Sequence, residues 1–127
     1  MSDLKNLLYV DDEAMNLFLF ENLLSGNFNI TTANTPDKGL EILKKNDSFD
    51  IVISDMKMPG MNGIEFINKA KEFYKQCPYM ILSGYGKIPE IEEALDTNLI
   101  CEYLQKPFDV NGITRSINQE IEKFQAV

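Results

Sequence analysis

Short apolar runs and amphipathic stretches alternate from one end of the chain to the other. Asn6–Val10 is a short apolar run suited to a buried strand. Ala14–Leu24 is apolar over a broad face, with Leu17, Phe20 and Leu24 in helical spacing. Asn29–Ala33 is rich in β-branched residues and predicts a second strand. Thr35 followed by Pro36 marks a helix start, a hydroxyl cap and then a proline in the first turn where no amide hydrogen is needed, and that helix is expected to reach about Lys45. Ile51–Ser54 is the third strand and ends on Asp55. Asn62–Gly63 breaks the chain before a helix expected to run through about Tyr74, with Ile67, Ala70 and Tyr74 inward. Tyr79–Leu82 is the fourth strand, and the glycine-rich stretch Ser83–Lys87 leads to a short helix from about Pro89. Cys101–Leu104 is the fifth strand. Asp109 is placed to cap the last helix, whose inner face is read as Ile113, Ile117, Ile121 and Phe124.

Five strands alternating with five helices predict an α/β fold with a parallel sheet covered on both faces. The 127 residues fit a single domain spanning 1–127, with no linker, repeat or low-complexity tract. Ligands of such sheets lie beyond the carboxyl ends of the strands. Asp11, Asp12 and Glu13 follow the first strand, Asp55 the third, Ser83 the fourth, and Lys106 with Pro107 the fifth. In a parallel sheet they all emerge at one edge.

Each of these residues also has an ordinary reading. Asp11 and Asp12 could cap the first helix, Asp55 could be a turn residue, Ser83 a loop hydroxyl, and Lys106 a solvated charge. It is their common position after successive strands that favours a site. Two carboxylates ~4 Å apart repel by about 4 kcal/mol at an effective dielectric near 20, so three in one pocket would raise one another's pKa or recruit a cation. Mg²⁺ suits such oxygen ligands, using one or two carboxylates and completing its shell with water and phosphate oxygens. A carboxylate can then act as nucleophile toward a phosphoryl group, with the lysine neutralising and the serine hydroxyl hydrogen-bonding its oxygens. A proline after Lys106 fits either a cis bond that aims the lysine at the pocket or an ordinary trans bond.

Composition narrows the field further. The chain has no histidine, which removes histidine triads and most zinc sites. A formal charge of −8 disfavours direct binding to nucleic acid or to anionic membranes. Cys77 and Cys101, without a CxxC pair, read as free buried thiols of a reducing compartment. There is neither a signal-peptide pattern nor an apolar run of membrane-spanning length, and the expected location is the cytoplasm.

The segments LLYVDDE (Leu7–Glu13), DIVISDMKMPGMNG (Asp50–Gly63), MILSGYG (Met80–Gly86) and EYLQKPF (Glu102–Phe108) together resemble the receiver domain of two-component response regulators. The resemblance covers about Leu7 to Phe124. It implies a flavodoxin-like, doubly wound sheet of five parallel strands in the order 2-1-3-4-5. By the same resemblance Asp55 is the phosphoacceptor, Asp12 a direct Mg²⁺ ligand, and Asp11 an acid that reaches the metal partly through water. The backbone carbonyl of Lys57 completes the shell. Ser83 and Lys106 meet the phosphoryl group, Ser83 and Tyr103 form the switch pair, and Pro107 is the cis proline.

Ser83 stands where the family more often has threonine, keeping the hydroxyl. Lys57 sits at a variable position that bears on the lifetime of the acyl phosphate. Gly84 leaves room for a phosphodonor, and Tyr85 narrows it. The implied partners are a histidine kinase or phosphotransfer protein and a downstream effector or output domain, with no direct nucleic acid and no membrane. A phosphorylation-dependent dimer is also compatible. No enzyme in the usual sense is expected, only catalysis of the chain's own phosphoryl uptake and slow autodephosphorylation.

Three other readings compete. An aspartyl-nucleophile phosphatase or phosphotransferase usually carries a second acid two residues after the nucleophile, where this chain has Lys57. A flavin-binding module would need glycine and hydroxyls where the first loop has acids. A pseudo-receiver would not need the complete set of acids, hydroxyl and lysine.

Overall fold

The computed structural model describes residues 4–84, 86 and 88–126; Tyr85 lies outside them. Its elements run β1 (Lys5–Val10), α1 (Ala14–Leu24), β2 (Phe28–Ala33), α2 (Pro36–Lys45), β3 (Ile51–Ser54), α3 (Gly63–Ala70), β4 (Tyr79–Ser83), α4 (Pro89–Asp96), β5 (Glu102–Gln105) and α5 (Val110–Gln125). The strands form one parallel sheet in the order β2-β1-β3-β4-β5. The chain steps from β1 outward to β2 and then crosses back to β3, so the order reverses between β1 and β3. In open α/β sheets that switch point is where ligands bind.

Strand periodicity divides the core in two. Leu8, Val10, Val52 and Ile81 face Leu43, Phe66, Ile67 and Ile91 of α2, α3 and α4. Leu7, Tyr9, Ile53, Met80 and Leu82 face Phe20, Leu24, Ile113 and Ile117 of α1 and α5. β3 and β4 are buried along their whole length, whereas the edge strand β2 alternates and β5 is only half-buried.

Capping follows the sequence signals closely. The Thr35 side chain accepts from the Lys38 amide at 3.0 Å, and Asp109 accepts from the Gly112 amide at 2.7 Å. Asn62 and Glu65 form a reciprocal capping box at the start of α3.

Two expectations need correction. α3 ends at Ala70 rather than near Tyr74, because the amides of Glu72 and Phe73 bond three residues back, to Lys69 and Ala70, in a tightened last turn. Tyr74 is nonetheless buried, with its hydroxyl accepting from the Phe49 amide at 2.9 Å. Phe124 follows the inner stripe of α5 but is 41% exposed rather than buried, and Glu120 is buried on that stripe. Phe124 lies in the last turn of α5, where the helix lines a cavity with Cys77, Pro78, Tyr79 and Cys101. Both cysteines are free, Cys77 buried and Cys101 only half-buried.

Candidate functional site

β1 and β3 are hydrogen-bonded neighbours, so the residues that follow them leave the sheet side by side. The Asp11 amide donates to the Ala33 carbonyl at 3.1 Å and the Asp55 amide to the Val10 carbonyl at 2.9 Å, which extends the ladder just past both strands. One carboxylate oxygen each of Asp11, Asp12 and Asp55 lies within 4.8 Å of the others. Asp11 is fully buried, Asp55 is 6% exposed, and Asp12 is exposed. Neither Asp11 nor Asp12 caps α1. The N-cap is Glu13, with no side-chain cap.

Lys106 reaches this cluster from the far end of β5. Its amide donates to the Ser83 carbonyl at 2.7 Å, and the Lys106–Pro107 peptide bond is cis. Its ammonium lies 2.8 Å from Asp11 Oδ2 and 3.6 Å from Asp55 Oδ1. Burial pushes the Asp55 carboxyl above its ordinary value. Lys106 and the Met56 amide oppose that rise, while Asp11 and Asp12 add to it.

Ser83 is fully buried at the end of β4. Tyr103 pairs with Ile81 across the sheet. Its hydroxyl is buried without a hydrogen-bond partner among the described residues, and burial raises its pKa. Lys57 is exposed in the loop after β3, and Gly84 is exposed with open space where a side chain would stand. The strand ends thus bring Asp11, Asp12 and Asp55 together and set Lys106 against Asp11 and Asp55.

Three residues that position the site were not singled out from sequence. Tyr9 donates its hydroxyl to Asp11 Oδ2 at 2.6 Å. The spacing of two along a strand, which puts both side chains on one face, was the available signal. Gly63 packs so close to Asp55 that an added Cβ would collide with the Asp55 carbonyl oxygen and meet Ile81 at 2.9 Å. Ser54 donates its hydroxyl to that same carbonyl at 2.8 Å.

The donors suit a hard divalent cation such as Mg²⁺: they are carboxylate oxygens, closely spaced, and one of them is exposed toward solvent. The arrangement places a buried carboxylate at a sheet switch point between a cation and two further acids. A family model described as the response regulator receiver domain matches residues 7–118.

The chain belongs to that family.

This receiver domain is 33% identical over 121 residues to the transcriptional regulatory protein FixJ of Bradyrhizobium diazoefficiens, covering 94% of this chain and 58% of that protein. It is 30% identical over 109 residues to the response regulator protein FleR of Pseudomonas aeruginosa, covering 86% and 23% respectively. The chain therefore spans between about a quarter and three fifths of these relatives. Among solved structures, a response regulator receiver domain protein from Clostridium thermocellum superposes with a TM-score of 0.89 at 30% identity, covering 97% of this chain and 98% of that one. Receiver domains are parts of two-component signalling rather than enzymes in the usual sense, which is the broad function of this chain. No helix among the described residues is long and apolar enough to cross a membrane.

Proposed function

We propose that this receiver domain takes a phosphoryl group onto Asp55 from a histidine kinase or phosphotransfer protein and passes the signal through its α4-β5-α5 surface. The observation that carries the reading is the setting of Asp55: a nearly buried carboxylate with Lys106 Nζ 3.6 Å from its Oδ1 and two more acids within 4.8 Å. Asp12, exposed, and Asp55 would be the direct carboxylate ligands for Mg²⁺, and the Lys57 carbonyl would complete the shell. Asp11 acts at one remove, because three donors already engage its oxygens. When bound, Mg²⁺ supplies charge that neutralises the transferring oxygens. Lys106, which lies between Asp11 and Asp55, would do the same by moving from Asp11 to the phosphoryl group.

Phosphorylation adds about −1.5 to −2 charges and strong acceptor oxygens. Ser83 shifts toward them, and Tyr103, whose hydroxyl has no partner to hold it among the described residues, moves with the loop. A two-state surface needs ~5.5 kcal/mol of bias to pass from 1:99 to 99:1. Slow loss of the phosphoryl group by autodephosphorylation resets the switch.

The outer face of α1 supports a protein as donor. Met15, Phe18, Leu19 and Leu23 are 46–65% exposed there. Leu19 and Leu23 also line a groove with Lys106, Pro107 and Phe108, so the apolar face runs up to the mouth that holds Asp55.

The test is incubation with acetyl phosphate and Mg²⁺, followed by intact-mass measurement. The parent should gain one phosphoryl group and Asp55→Asn should gain none. An unchanged parent mass, or a gain that persists in Asp55→Asn, would overturn the assignment.

A further inference from the structure

We infer that Tyr9 is a positioning residue for Asp11, holding that carboxylate in one orientation while Lys106 exchanges between Asp11 and an incoming phosphoryl group. This rests on the reading that Asp11 serves the Mg²⁺ site. Three donors fix Asp11. The Glu13 amide binds Oδ1 at 3.0 Å, and both the Tyr9 hydroxyl at 2.6 Å and Lys106 Nζ at 2.8 Å bind Oδ2. A carboxylate oxygen has two lone-pair sites, so Oδ2 is filled.

When Lys106 turns to the phosphoryl group, Oδ2 keeps only what Tyr9 gives it. Without that hydroxyl, a fully buried carboxylate would be left with the single Glu13 contact and freedom to rotate. Buried anions with unmet hydrogen-bonding capacity are costly, and ligands without an oriented outer partner lose affinity for metal.

Tyr9 is itself tightly packed. It is 1% exposed, and its ring stacks on Phe20 with centroids 4.1 Å apart and planes inclined by 22°. Phe20 in turn meets the edge of Phe108, two residues beyond Lys106. The hydroxyl is thus presented from a packed aromatic layer between β1 and α1, and a residue without it would leave Asp11 without its shortest hydrogen bond.

Tyr9→Phe removes the hydroxyl and keeps the ring. Phe20→Leu disturbs the same stack and leaves the hydroxyl in place. Each is compared with the parent by calorimetric Mg²⁺ titration of the chelator-treated protein, by melting without metal, and by the Mg²⁺ dependence of acetyl-phosphate uptake. Tyr9→Phe should bind Mg²⁺ about tenfold more weakly. Its half-saturating Mg²⁺ for uptake should rise to match, with the rate at saturation retained. Phe20→Leu should melt earlier and lose clearly less Mg²⁺ affinity than Tyr9→Phe.

Parent-like Mg²⁺ binding by Tyr9→Phe overturns the inference and leaves the phosphoacceptor reading intact. Equal weakening in Phe20→Leu also overturns it, since packing alone would then be at work. A parent that binds no Mg²⁺ removes the metal reading itself and this inference with it.

Discussion

At the residue scale, the site depends on one close approach that no charge pattern announces. The Gly63 amide donates to the Met56 carbonyl at 2.8 Å, and its Cα lies against the Asp55 backbone. A methyl group there meets main chain, which cannot swing aside as a side-chain tip would. Gly63→Ala should therefore lower stability by about 1–3 kcal/mol, the usual cost of overpacking, and slow phosphorylation of Asp55 by displacing its backbone. Chemical denaturation and the acetyl-phosphate assay read the two effects separately. Cys77 gives a second test. Burial pushes its thiol up to about 12, with Asp50 adding and Lys71 opposing. In the native protein at pH 8 it should react with iodoacetamide far more slowly than after denaturation, as peptide mapping will show. The sign of the pH effect follows: the unfolded thiol loses its proton near 9 while the folded one holds it, so this contribution to stability falls as pH rises from about 9 toward 12. The acids and the lysine of the site were legible as residues because each directly follows a strand. Tyr9 and Gly63 were not, since a tyrosine in an apolar run and a glycine before a helix have common structural uses, and only the three-dimensional neighbour reveals the particular one.

At the element scale, α1 carries more apolar surface than its packing uses. Phe20 and Leu24 are buried and Leu17 is half-buried, yet Met15 is 65% and Phe18 is 62% exposed. The sequence displays this surplus as a broad apolar face but does not say which part of it the sheet covers. That depends on how α1 rolls against β1 and α5, and hence on the stacking of Phe20 on Tyr9. If the outer part docks a phosphodonor protein, Phe18→Ala should slow phosphotransfer from that protein at least tenfold. It should leave uptake from acetyl phosphate, a donor too small to touch α1, as in the parent. Equal rates with the protein donor would remove α1 from the docking surface. Helix ends were less legible than helix faces. Ile113, Ile117 and Ile121 are buried at strict four-residue spacing, whereas Phe124, in the last turn of α5, is exposed beside an open cavity. Glu120 is buried there instead and lines a cavity together with Cys101, a neighbour 19 residues away that periodicity does not reveal.

At the scale of the whole molecule, the charge distribution links the site to stability. Three carboxylates are gathered at the β1–β3 switch point, and Lys106 lies against two of them. The formal charge of −8 adds a diffuse repulsion that any salt will screen. These two contributions can be separated. A cation bound only by the folded site raises stability by RT ln(1 + [L]/Kd), about 2.7 kcal/mol at a hundred times Kd. For a domain of this size that moves the melting temperature upward by on the order of 10 °C. Sodium chloride at equal ionic strength should produce only the screening part, a smaller and gradual rise. Chelation should reverse the Mg²⁺ effect in full. Asp12→Ala separates them within one molecule: it removes an exposed acid from the cluster, so the metal-free protein should melt at or slightly above the parent temperature while the Mg²⁺-specific rise disappears. Equal shifts from sodium and magnesium in the parent would mean that the acids repel one another without forming a site.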